Sequence, residues 1–150
     1  MAIRVERVGH VVLKVKDLER SARFYRDVLG LKEVARGTFG RPMAFFSTGQ
    51  NHHDIAVMEV GPEAPQAEPG AVGLYHVALK IGNSLEELRA AKAHLEAHGL
   101  KKLHLMDHRV SQSIYLDDPD GNGLELYVDT DPAIWRADPG SVATAGPLRL

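Results

Sequence analysis

The chain has 150 residues, enough for one domain with a sizeable core. Hydrophobic residues make up 44%, charged residues 25%, and the formal net charge is −2, which favours a soluble globular protein and gives no basis for binding nucleic acid or an anionic membrane. There is no cysteine, so disulfides, thiolate metal sites and cysteine nucleophiles are excluded. Residues 1–7 lack the apolar core of a signal peptide, and no apolar run approaches the ~20 residues that span a bilayer. The default expectation is a cytoplasmic location.

In chain order, residues 10–15 read His-Val-Val-Leu-Lys-Val, a strand pattern. A helical pattern follows over 17–29, with Leu18, Ala22, Tyr25 and Leu29 on one face and Gly30 as its stop. Strand-like segments come next at 32–35, 43–47 and 54–60. A segment rich in Pro, Gly, Ala and Glu, 61–73, reads as an exposed linker. Residues 76–81 then read His-Val-Ala-Leu-Lys-Ile, repeating the first strand. A second helix is expected over 84–98, with Leu85, Leu88, Ala91 and Leu95 in register and Gly99 closing it. Strands follow at 101–106, 113–116 and 124–128, the last two joined by a tight turn at Asp118–Asn122. Asp131-Pro132 looks like the start of a short helix carrying Trp135, and 138–150 has little to pack and reads as loosely ordered.

The chain is therefore an α+β protein built from two βαβββ modules. Module one is 5–60 and module two is 74–130, together one domain over 1–130, with a short helix and tail over 131–150. The expected architecture is a pair of curved mixed sheets around a metal-site cavity, with helices outside.

Strand parity sharpens the site. Side chains alternate between faces with period two. Val11, Leu13 and Val15 share a face, as do Val77, Leu79 and Ile81, and these aliphatic rows are natural helix-docking surfaces. His10 and His76 then belong to the opposite face. In the last strand Leu124, Leu126 and Val128 face the helix, while Glu125 and Tyr127 face away. Two histidines and a carboxylate form the ligand set of a facial metal triad that leaves coordination positions open. A carboxylate on an otherwise apolar strand is costly unless paired or coordinated. The strand at 53–60 puts His53, Ile55, Val57 and Glu59 on one face, which is assigned to the pocket.

Gly9–Leu13, Tyr75–Leu79 and the run Asp118-Pro119-Asp120-Gly121-Asn122 with Glu125-Leu126-Tyr127 resemble the vicinal-oxygen-chelate superfamily, over roughly residues 5–130. That superfamily includes extradiol dioxygenases, glyoxalase I, fosfomycin-resistance proteins and methylmalonyl-CoA epimerase. Further positions resemble the type I extradiol, catechol 2,3-dioxygenase-like branch. The resemblance implies metal ligation by His10, His76 and Glu125, with Fe(II) the leading metal and Mn(II), Zn or Ni as alternatives. It implies an acid–base role for His53, within His52-His53-Asp54-Ile55-Ala56. It also implies active-site roles for His108, within Asp107–Ser111, and for Tyr115, ten residues before Glu125. The partners implied are a catecholic substrate and O2, and a homodimer or higher homo-oligomer; no nucleic acid or membrane is implied. The well-known ring-cleaving enzymes carry four modules and this chain carries two.

A glyoxalase-I-like lyase or isomerase is the runner-up, with Glu59 as a fourth ligand for Zn or Ni. A metal-dependent resistance protein of the fosfomycin type, using Mn, is a further alternative. A non-catalytic binding protein of the bleomycin-resistance kind is disfavoured by the triad. His52 has the opposite parity to His53 and reads as a surface residue, while His94, His98 and His104 have no motif behind them and read as surface or structural histidines.

Overall fold

A computed structural model describes residues 3–68 and 70–150. The chain divides into two compact units, Met1–Pro69 and Gly70–Leu150, the division falling inside the expected linker. The architecture is α+β, with one open mixed sheet in each unit.

The first unit runs β1 (Val11–Val15), α1 (Leu18–Arg23), β2 (Lys32–Thr38), β3 (Pro42–Ser47) and β4 (Ile55–Glu59). Its sheet has the order β1-β4-β3-β2, with β1 parallel to β4 and the other pairs antiparallel. Asp17 caps α1, its carboxylate accepting from Arg20 N at 2.8 Å. The expected single helix over 17–29 becomes a π-helical segment from Phe24 to Val28, with Leu29 N donating to Phe24 O. The wider turn lets the consecutive residues Phe24 and Tyr25 both enter the core, where Tyr25 meets Phe46. The aliphatic row of β1 is on the helix side, with Leu13 and Val15 buried beside Val57, Ala44 and Phe46.

The second unit repeats this plan: β5 (Val77–Gly82), α2 (Leu85–Ala97), β6 (His104–Asp107), β7 (Ser111–Asp117) and β8 (Gly123–Asp129), in the order β5-β8-β7-β6. Ser84 caps α2 in a reciprocal box: Glu87 N donates to Ser84 Oγ, and the Glu87 carboxylate accepts from Asn83 N and Ser84 Oγ. Leu88 and Leu95 bury against Ile114, Leu124, Leu126 and Val128. Asp118 organises the β7–β8 turn by accepting from Asp120 N, Asn122 N and Asn122 Nδ2.

The tail is more ordered than its composition predicts. After α3 (Ala133–Ala137), a 3-10 turn covers Pro139–Ala143, and β9 (Gly146–Pro147) adds a fifth strand beside β6. Ser141 is buried in that turn, its Oγ donating to Asp138 O at 2.7 Å. Hydrogen bonding to backbone, with no apolar periodicity, holds this segment in place. Among the described residues, no helix is long and apolar enough to cross a membrane.

Candidate functional site

In the second unit, β5 pairs with β8 so that Ala78 stands opposite Glu125, and β7 pairs with β8 so that Tyr115 stands opposite Glu125 and Ser113 opposite Tyr127. Residues paired across neighbouring strands share a face. Ser113, Tyr115, Glu125 and Tyr127 therefore lie on the face away from α2. His76, immediately before β5, completes the cluster: its Nε2 is 3.1 Å from Glu125 Oε2, and its ring is 5.4 Å from that of Tyr115.

Glu125 is 7% exposed, and Ser113 Oγ donates to its Oε1 at 2.5 Å. Two donors each about 2.1 Å from one cation, at right angles, stand about 3.0 Å apart. The His76–Glu125 separation fits two adjacent ligands of a divalent metal, and it also suits a direct hydrogen bond. His76 Nδ1 is buried with no hydrogen-bond partner. Close packing holds His76 in place: a Cβ on Gly123 would lie 2.5 Å from Tyr75 O and 3.3 Å from His76 Cβ. Only glycine lets the Tyr75–His76 segment lie so near β8.

His108 sits in the β6–β7 turn. Its Nε2 is 2.8 Å from the Tyr115 hydroxyl, and its Nδ1 is 3.1 Å from Thr144 O. Burial and the adjacent Glu125 carboxylate push the Tyr115 phenol up to about 12, so it stays protonated at neutral pH.

A cleft of about 230 Å³ opens beside this cluster, lined among others by Tyr75, His76, Lys102, His104 and Tyr115. An apolar cavity of ~150 Å³ accepts benzene, so this volume suits one substituted ring. His104 is a site-lining residue that sequence reasoning placed outside the site. Its register partner is Tyr115, which puts it on the same open face. The alternation His104-Leu105-Met106 carries that signal, but a four-residue strand is short for a parity argument.

In the first unit His10 is exposed and immediately precedes β1, as His76 precedes β5. His53 is brought to it: their ring centroids are 4.2 Å apart, and Phe45 meets the His53 ring edge-on at 5.4 Å. Desolvation by burial, then the neighbouring His10 and His52, hold His53 below the ordinary imidazole range. His52 Nδ1 lies 2.6 Å from His53 Nδ1. Asp54 fixes the preceding turn, accepting from Thr48 N, Thr48 Oγ1 and Asn51 Nδ2.

The face expected for 53–60 is corrected by the register. Leu13 pairs with Val57 and Val15 with Glu59, so Ile55, Val57 and Glu59 share the helix side with the buried row of β1. Glu59 Oε2 accepts from Leu18 N at 2.9 Å, satisfying a free amide of the first turn of α1. His53 escapes this parity because β4 begins only at Ile55, and residues 51–54 turn. Among the described residues, no three His, Asp or Glu side chains converge as a metal-holding group. His76 and Glu125 form a pair in one unit, and His10 belongs to the other.

A duplicated βαβββ plan, with a histidine at the entrance of each first strand and a carboxylate on the last, defines a chelate-type fold. The chain belongs to the Glyoxalase/Bleomycin resistance protein/Dioxygenase superfamily, whose family model matches residues 7–126. It is 34% identical over 132 residues to a catechol-2,3-dioxygenase of Bacillus subtilis (strain 168), covering 87% of this chain and 44% of that protein. It is 34% identical over 124 residues to biphenyl-2,3-diol 1,2-dioxygenase 3 of Rhodococcus globerulus, covering 82% of this chain and 63% of that protein. The chain thus spans about half the length of these relatives. A glyoxalase/bleomycin resistance/dioxygenase domain from Frankia sp. EAN1pec has the same fold, with a TM-score of 0.73 at 22% identity, over 84% of this chain and 99% of that one.

Proposed function

We propose that the chain is a metal-dependent enzyme acting on a small molecule, and that its reaction is extradiol cleavage of a catecholic substrate by O2. The observation that carries this reading is the buried carboxylate of Glu125 set 3.1 Å from His76 Nε2 beside a ring-sized cleft. His10 holds the equivalent place before the first strand of the first unit, and on that equivalence alone it is read as a metal ligand. Fe(II) held by such ligands would supply a redox-active Lewis acid for a catechol and O2.

In the overall reaction the ring C–C bond beside the diol breaks and both oxygen atoms enter the product. One ring carbon becomes a carboxylate and the other a carbonyl, and the four electrons they lose reduce O2. His53 takes a proton from a catechol hydroxyl and later returns it. Its partial burial and its histidine neighbours favour the neutral base form for that role. Tyr115, kept protonated and held by its hydrogen bond with His108, positions a substrate oxygen in the cleft.

The glyoxalase-like alternative needs Glu59 as a ligand. Its carboxylate instead caps α1 from the helix side of the sheet, which favours the dioxygenase reading. The test is oxygen uptake and yellow ring-cleavage product from a catechol panel, using protein with iron verified in the site. Catechol-dependent uptake of one O2 per product is expected. Silence across the panel from iron-replete protein overturns the reading.

A further inference from the structure

We propose that the C-terminal segment, through the backbone carbonyl of Thr144, holds His108 in its Nδ1–H tautomer and thereby sets the direction of the His108–Tyr115 hydrogen bond. Thr144 is then a positioning residue.

A carbonyl oxygen only accepts, so the 3.1 Å contact with Thr144 O requires a proton on His108 Nδ1. In the neutral ring Nε2 then carries a lone pair, and the 2.8 Å contact with Tyr115 must be donated by the tyrosine hydroxyl. That hydroxyl has one proton and two neighbours able to accept it, His108 Nε2 and the Glu125 carboxylate opposite it in the register. The opposite tautomer would donate to the tyrosine oxygen and send its proton to Glu125. The tail carbonyl therefore decides which acceptor is served.

The segment is built to hold this carbonyl still. Asp138 caps the 3-10 turn, Ser141 is buried within it, and Thr144 N donates to Ser141 O. On the far side Gly146 and Pro147 pair with Asp107 and Met106. The turn presenting His108 is braced as well. Arg109 holds the left-handed φ of 67°, its N donates to Asp107 Oδ1, and its carbonyl accepts from Thr130 Oγ1. Both partners of the Nδ1 contact are thus fixed by their own backbones.

One consequence rests on the proposed function. Tyr115 then turns oxygen lone pairs toward the cleft and accepts a hydrogen bond from a substrate hydroxyl, with its own proton committed to His108.

The tautomer is read without substrate or metal, so this proposal and the dioxygenase reading fail separately. Long-range 1H–15N spectra of ring-labelled full chain, at about pH 8 where imidazole is neutral, should show His108 as the Nδ1–H form. Tyr115→Phe should leave that form unchanged, because the tail sets it. Ser141→Arg, whose side chain does not fit the buried turn, and a chain ended after Ala137 should both lose the single Nδ1–H state and give the mixed population of an unrestrained imidazole. An Nε2–H ring in the full chain overturns the proposal outright. So does a change of tautomer in Tyr115→Phe, or an unchanged tautomer in a folded chain ended after Ala137.

Discussion

His76 Nε2, just before β5, and Glu125 Oε2, on the neighbouring β8, stand 3.1 Å apart, the carboxylate buried and held by Ser113. Removing either side chain breaks this pair of proposed ligands. His76→Ala and Glu125→Ala are each expected to lose stoichiometric divalent metal, measured by elemental analysis after anaerobic loading with Fe(II). Glu125→Ala also relieves the burial of a charge, so its folding stability is expected to fall less than its metal content does. A His76→Ala protein that still binds one metal per chain removes His76 from the ligand set.

His53 is placed by a turn and not by a strand. It is outside the proposed ligand set, and its ring centroid is 4.2 Å from that of His10 and 5.4 Å from that of Phe45. His53→Ala is therefore expected to keep its metal and lose catechol turnover by about 10²- to 10⁴-fold, the usual range for a positioned acid–base group. Steady-state rates from the yellow product, beside metal content of the same preparation, check both parts. An unchanged rate eliminates His53 as the base.

How far the sequence could be read depended on how regular the local backbone is. The rows Val11, Leu13, Val15 and Leu124, Leu126, Val128 gave the helix-facing sides of both sheets, because those strands are unbroken. The same counting failed from His53 to Glu59, because it ran across the turn before Ile55. Apolar Ile55 and Val57 were the better guide there, since both belong to the core. Phe24 entered the core through a π turn, which a 3.6-residue period does not describe. The tail was illegible for a different reason. Thr144 meets His108 through a backbone carbonyl, and a carbonyl has no residue signature.

Glu59 separates the two leading chemistries. Its carboxylate accepts from Leu18 N at the start of α1, and it belongs to the helix side of the sheet. Glu59→Ala is expected to cost about 1 kcal/mol of stability, the usual loss for a helix-capping acceptor, with metal content unchanged. Urea unfolding and metal analysis on the same protein test this. A fall in metal affinity with little change in stability would restore Glu59 as a ligand.

Asp54 supplies the pH-dependent prediction. Burial alone raises its carboxyl, but hydrogen bonds from Thr48, Asn51 and Ser47 outweigh that and hold it below the ordinary aspartate value of about 3.9. The folded pKa is depressed, so the stabilisation is fully present above the unfolded value and disappears as pH falls through the folded one. Stability measured by urea unfolding should therefore exceed that of Asp54→Asn by a constant amount above about pH 5 and converge with it in stronger acid. A difference that stays constant into strong acid contradicts the assignment. Because Asp54 ties the turn that presents His53 to Thr48 and Asn51, Asp54→Asn should also slow catechol turnover at neutral pH. Metal content should stay at the level of the unsubstituted chain, since His10, His76 and Glu125 all lie outside that turn.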